Sequence, residues 1–152
     1  MPKVLYMMVG LPRSGKSTVS RDIGCPIVCP DAIRLALHGL PSLSTMEPYV
    51  WAIARTMVEA LFYAGHDKVI LDATNITRFV RNQWKSDKWV RYFVEVPTLP
   101  EVCKERARLT NQEYLLDVID SMHKKFEPLT YEEKHEADVL LNHDDYIDSL
   151  DK

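Results

Sequence analysis

Val4 to Val9 is an unbroken apolar run closed by Gly10. A strand covered on both faces reads this way, whereas a half-exposed strand alternates, so the run predicts a buried parallel strand. Short runs of the same kind recur at 26–29, 69–72, 91–96 and 137–141. Between them the apolar period lengthens to that of a helix. Helices are predicted from Lys16 to about Gly24, from Pro30-Asp31 onward, and over 44–62, 76–86, 98–108 and 114–126. The longest carries Val50, Ile53, Ala54, Met57, Val58, Leu61 and Phe62 on one face. Ser44 with Glu47, and Thr98 with Glu101, have the spacing of capping boxes. Gly65 and Pro128 stop the helices before them.

Strands alternating with helices predict an α/β fold: a five-stranded, mostly parallel sheet with helices on both faces. At 152 residues there is room for one domain. Its expected extent is 1–142, with 143–152 as an acidic tail. The net charge of -3 is carried by that tail, where Asp144, Asp145, Asp148 and Asp151 face Lys152 alone; the body is neutral. A strongly basic binder of duplex nucleic acid is thereby excluded, while a local basic patch is not. Cys25, Cys29 and Cys103 lack the spacing of a zinc site and read as reduced thiols. No apolar run approaches the roughly 18 residues of a membrane span, and the N-terminus lacks a signal-peptide layout. The expectation is a cytoplasmic protein with no membrane partner.

Gly10-Leu11-Pro12-Arg13-Ser14-Gly15-Lys16-Ser17-Thr18 fits the Walker A pattern, between a buried strand and a helix as that motif requires. Its glycines let successive backbone N–H groups converge on phosphate oxygens, and the helix N-terminus adds partial positive charge. Lys16 is expected on the β- and γ-phosphates of ATP, and Ser17 on Mg²⁺. A guanine-reading motif is missing at Val96-Pro97-Thr98-Leu99, and Asp72 is followed by Ala73 where a motor ATPase has a second carboxylate. Phosphoryl transfer to an acceptor remains. Asp31 and Arg34 follow the second strand, at the sheet edge where open parallel sheets bind ligands. Three apart, they share a helix face. Asp31 could take the proton of an attacking hydroxyl and Arg34 could fork an acceptor phosphate, or the two could simply cap and pair.

The cradle at 10–18, Asp31-x-x-Arg34 and Asp72-Ala73-Thr74-Asn75, in this order, resemble the phage-type 5′-polynucleotide kinase domain. Arg106 through Pro128 is similar to that family's helical lid and following helix, the lid falling at about 106–113. The resemblance reaches to about Leu141. It implies a P-loop NTPase fold and transfer from ATP, with Mg²⁺, to the 5′-hydroxyl of DNA or RNA ends, expected to be single-stranded. Asp31 is then the general base, Arg34 a contact to the acceptor's 3′-side phosphate that helps orient Asp31, and Asp72, Thr74, Asn75 and Arg78 acceptor-side residues, with Asp72 a support for Arg34 or for a metal-bound water. A lid arginine clamps the transferred group. The family spaces its lid arginines about four apart, whereas Arg106 and Arg108 here are two apart with Thr110 in the second place, so either can serve. The first helix is shorter than in the family, and the chain has no room for the phosphatase domain that often accompanies it. Assembly into a homo-oligomer is compatible with the resemblance.

Arg78, Arg81, Lys85, Lys88 and Arg91 interleave with Phe79, Trp84, Trp89 and Tyr92. Cations among aromatics suit a single strand, but amphipathic helices with a solvated basic face and rings packed on the sheet are commoner and are the expectation here. The competing functions are a kinase on a small hydroxyl acceptor and a non-catalytic nucleotide-binding module.

Overall fold

The computed structural model describes residues 2–138. In chain order the elements are β1 (Val4–Val9), α1 (Lys16–Ile23), β2 (Ile27–Val28), α2 (Pro30–Leu37), α3 (Glu47–Tyr63), β3 (Lys68–Leu71), α4 (Arg78–Asn82), β4 (Val90–Glu95), α5 (Pro100–Leu109), α6 (Leu115–Lys125) and α7 (Tyr131–His135). The strands form one parallel sheet in the order β2-β3-β1-β4, flanked by helices. Val28, Leu71, Met7 and Phe93 lie in one row across it. Every strand therefore delivers its following loop to the same edge of the sheet.

Two apolar clusters hold the layers. Val50, Ala54, Val58 and Phe62 of α3 pack with Leu5, Met7, Val69 and Leu71, while Met57 of the same helix is exposed. Leu11, Cys103, Ala107 and Ile119 join α5 and α6 to the loop after β1. Among the described residues, no helix is long and apolar enough to cross a membrane.

Four features differ from the sequence expectation. The sheet has four strands among the described residues. Residues 139–141 of the expected fifth strand, and the acidic tail, lie outside those residues, and Ala137 sits in a turn. Neither expected capping box forms. Met46 and Leu99 stand at the N-caps of α3 and α5 with no side-chain hydrogen bond. A capping box does form between Thr130 and Glu133, at the start of a short helix that the sequence pattern did not single out.

The fourth difference is the interleaved segment. Arg81, Trp84, Trp89 and Arg91 are buried. The Arg81 guanidinium makes five hydrogen bonds. Its Nε donates to Glu133 Oε2 (2.6 Å), Nη1 to the carbonyls of Asn75 and Glu127 (both 3.1 Å), and Nη2 to Glu133 Oε1 (3.1 Å) and the Pro128 carbonyl (3.3 Å). Each of its five N–H donors thus has an acceptor, which is the condition for burying such a group. Arg91 is held likewise by Glu136, at 2.6 Å from Nη2 to Oε1. The two pairs fasten α7 to α4 and β4.

Burial would push the Glu133 carboxyl up, but hydrogen bonds from Arg81 and the Thr130 amide, with the charges of Arg81 and Arg91, hold it below its ordinary value. Its stabilisation is complete above the unfolded value of about 4.3 and is lost as pH falls through the lower folded value. Glu133→Gln leaves Arg81 buried beside a neutral partner, and should lower the unfolding free energy by about 3 kcal/mol in urea titration at neutral pH. The acid limb of the stability curve should flatten in the same variant. A loss within the roughly 0.5 kcal/mol of ordinary surface substitutions would show that the pair stabilises nothing.

Candidate active site

The loop between β1 and α1 is shaped by two glycines. A Cβ on Gly10 would lie 2.8 Å from Ser14 Oγ and 2.9 Å from the Val96 carbonyl, so no side chain fits there. Gly15 stands at φ 101°, in the left-handed region. The Gly10 amide donates to the Thr74 carbonyl at 3.0 Å, which ties the loop to the segment after β3. Leu11 is buried under α5 and α6. Pro12 is half-buried, and Arg13 and Thr18 are exposed.

Lys16 is buried at the start of α1, and its Nζ donates to the Leu11 carbonyl at 2.7 Å. Burial lowers its pKa, and the carboxylates of Asp72 and then Asp31 pull it back up. The two acidic positions singled out in the sequence thus act on one ammonium. Ser17 Oγ donates to Asp72 Oδ2 at 2.8 Å. Hydroxyl and carboxylate are hard oxygen donors of the kind that magnesium takes, and a P-loop Ser with a strand-end Asp is the usual pair for it. Among the described residues, no group of three or more His, Cys, Asp or Glu side chains is placed to hold a metal ion.

Asp31 lies in the first turn of α2, with Pro30 at the start of the helix. Its side chain is 85% exposed. Arg34, one turn on, donates from Nη1 to Asp31 Oδ1 at 2.7 Å. The same guanidinium grips Glu47 with Nε to Oε1 at 2.8 Å and Nη2 to Oε2 at 2.9 Å. Trp51 Nε1 donates to Glu47 Oε2 at 3.2 Å, and the Arg34 guanidinium sits 5.8 Å from the Trp51 ring centre. Hydrogen bonds from Arg34 hold the Glu47 carboxyl below its ordinary range. Sequence reasoning missed Glu47 and Trp51 as site residues. Glu47 matched a local capping pattern, and nothing in its neighbourhood points to an arginine 13 residues earlier.

The segment after β3 divides. Asp72 is brought to Ser17 rather than to Arg34. Asn75 is buried at φ 47°, and its Nδ2 donates to the Met8 carbonyl at 2.8 Å, so its amide straps the loop to β1 rather than facing outward. Thr74 is half-buried. Arg78 is exposed and pairs with Glu127 at 3.3 Å.

The 106–113 segment is the tip of the α5–α6 hairpin. Arg106 Nη1 donates to the Arg13 carbonyl at 3.1 Å and lies 3.7 Å from the position a Gly15 Cβ would take. Arg108 turns to Glu105 at 3.5 Å instead. Thr98, expected to cap α5, donates to the Ser14 carbonyl at 2.7 Å and anchors the base of the hairpin to the phosphate loop.

The chain matches the family described as AAA domain over residues 5–129. Among solved structures it is similar to a chain of a Pnkp1/Rnl/Hen1 complex, at 26% identity and TM-score 0.61, over 68% of this chain and 38% of that one. A chain of the Pnkp1/Rnl/Hen1 RNA repair complex gives 19% identity and TM-score 0.62, over 82% and 46%. A gluconokinase from Sinorhizobium meliloti 1021 gives 20% identity and TM-score 0.55, over 84% and 75%. The chain thus spans less than half the length of the first two. No curated protein matches it. With most of its length inside the family's match and its phosphate loop seated between β1 and α1, the chain belongs to the AAA-domain family, as a P-loop kinase-like domain.

Proposed function

We propose that this domain transfers the γ-phosphoryl group of ATP to the 5′-hydroxyl of a DNA or RNA end. The observation that carries the reading is the ion pair of Asp31 with Arg34, braced by Glu47, beside the phosphate loop. An exposed carboxylate on a rigidly held partner is what a general base needs: access to the hydroxyl and a defined position. The resemblance of the 26%-identical chain to this one lends further support.

In this reading the backbone amides of Gly10 to Thr18 and the Lys16 ammonium hold the phosphates. Ser17 and Asp72 would hold magnesium, which supplies charge neutralisation on the β- and γ-oxygens. Asp31 accepts the proton of the acceptor hydroxyl as its oxygen bonds to the γ-phosphorus and the bond to ADP breaks. Two N–H groups of Arg34 remain beyond those given to Asp31 and Glu47, enough to meet an acceptor phosphate. Arg106, from the hairpin tip, supplies positive charge to the transferred group.

One observation favours a second reading. Arg34 already faces two carboxylates, so the Asp31–Arg34–Glu47 trio is net negative and welcomes a neutral alcohol more readily than a phosphate. A small hydroxyl acceptor would suit it.

The deciding experiment is labelling with γ-labelled ATP and Mg²⁺. The domain should label 5′-hydroxyl oligonucleotides, and a free nucleoside should not compete at equal concentration. No labelling of any oligonucleotide, or full competition by the nucleoside, removes the polynucleotide reading. Asp31→Asn should lower kcat by about 10²–10⁴-fold while ATP binding, followed by calorimetry, is kept. Unchanged turnover would take the base role from Asp31. Between the two hairpin arginines, Arg106→Ala should cut kcat by about 10²-fold or more, and Arg108→Ala should leave it within about twofold. The reverse order would transfer the role to Arg108.

A further inference from the structure

We infer that a surface made jointly by the start of α4 and the end of α6 binds the acceptor strand beyond its terminal nucleotide. Phe79 stacks a base there, and Lys124 and Lys125 meet the backbone. This rests on the polynucleotide reading above and deepens it. The interleaved segment loses four of its nine cations and rings to the interior, since Arg81, Trp84, Trp89 and Arg91 are buried. Lys85, Lys88 and Tyr92 stay outside, as do Arg78 and Phe79 at the start of α4, with Phe79 74% exposed.

What the segment loses is supplied from α6. The Glu127 amide donates to the Ile76 carbonyl at 2.8 Å, and Arg78 reaches Glu127 at 3.3 Å. Arg81 binds the Glu127 and Pro128 carbonyls as well. These bonds lay residues 126–128 against the entry to α4. Lys124, Lys125 and Phe126 are exposed and immediately precede this junction in the chain, and Glu127 is the acid within it.

Phe79 and Phe126, with Arg78, Lys124 and Lys125, thus come from two short segments joined at this junction, in a body without net charge. Phosphates call for such cations and unstacked bases for such rings, which is the chemistry of a single strand. The site's position fits. α4 follows β3, the strand beside β2, and β2 delivers Asp31. The Trp51 ring at the Arg34 clamp lies 6.5 Å from Trp84, just past α4, and Arg55 of α3 donates to the Gln83 carbonyl at 2.8 Å. A strand whose 5′ end sits at Asp31 and passes Arg34 therefore has α4 as its next neighbour.

The test compares an oligonucleotide of about ten nucleotides with a nucleoside 3′-phosphate, which ends before the proposed surface. For wild type, kcat/KM should be at least tenfold higher with the oligonucleotide. Phe79→Ala should raise KM for the oligonucleotide by about 5- to 160-fold, the range that loss of one stacked base implies. KM for the nucleoside 3′-phosphate and kcat with either acceptor should not change, and Phe79→Trp should restore the oligonucleotide KM. Equal effects on both acceptors, or none on either, overturn the inference and leave the kinase reading standing.

A second measurement needs no turnover: anisotropy of a fluorescein-labelled oligonucleotide titrated with the full chain. Lys124→Ala with Lys125→Ala should make the slope of log K against log salt about 1.4 less steep, as loss of two single-strand phosphate contacts predicts. An unchanged slope, or no binding by wild type, overturns the surface whatever the kinase assay gives. An inactive wild type that still binds strands with this slope upholds the surface and removes only the kinase reading.

Discussion

A guanidinium taken wholly out of water must find an acceptor for every one of its five N–H groups, and Arg81 does. Those acceptors come from the Asn75 carbonyl after β3, the carbonyls of Glu127 and Pro128 after α6, and the Glu133 carboxylate on α7. Three stretches of chain are thereby referred to one rigid fork. The loop that carries Asp72 and supports the phosphate cradle is one of them. Its position is set from below by Arg81 as much as from above by the bond of the Gly10 amide to Thr74.

The chemistry sits on top of that frame as two anchored halves. In one, Ser17 bonds Asp72 and Lys16 bonds the Leu11 carbonyl, where β1 and β3 end. In the other, Arg34 is locked by Glu47 and in turn holds Asp31. Lys16 senses the carboxylates of both halves. The α5–α6 hairpin contributes Arg106 from a third direction and is fastened to the cradle through Leu11 and through Thr98. Ser17, Arg34 and Arg106 are each placed by bonds to neighbours on other segments, and Asp31 follows Arg34, which is what preorganisation of a polar site requires.

Features whose physics is local were legible in the amino-acid sequence. The phosphate loop is one, because glycine, lysine and serine at fixed spacing decide its shape. The pairing of Asp31 with Arg34 is another, because three residues along a helix is one turn. The four strands announced themselves as apolar runs. The misread features share one cause: a residue that fits a local pattern is taken by a remote partner. Glu47 goes to Arg34 rather than Ser44, and Thr98 to Ser14 rather than to α5. Arg81 and Arg91 looked like solvated cations because their carboxylates lie 52 and 45 residues downstream. Asn75 looked outward-facing because nothing nearby shows that it reaches back to Met8.

The remoteness of Glu133 bears on how the chain matures as it is made. Synthesis proceeds at roughly 5–20 residues per second, N-terminus first. All four strands, the phosphate loop and the Asp31–Arg34–Glu47 clamp emerge before the carboxylate that Arg81 needs. Until then the guanidinium is better off hydrated than inside, so the loop after β3 has a reason to stay open on the nascent chain. A nascent domain that already carries its whole nucleotide-binding motif thus lacks the carboxylate that Arg81 meets in the folded domain until its last described helix is made.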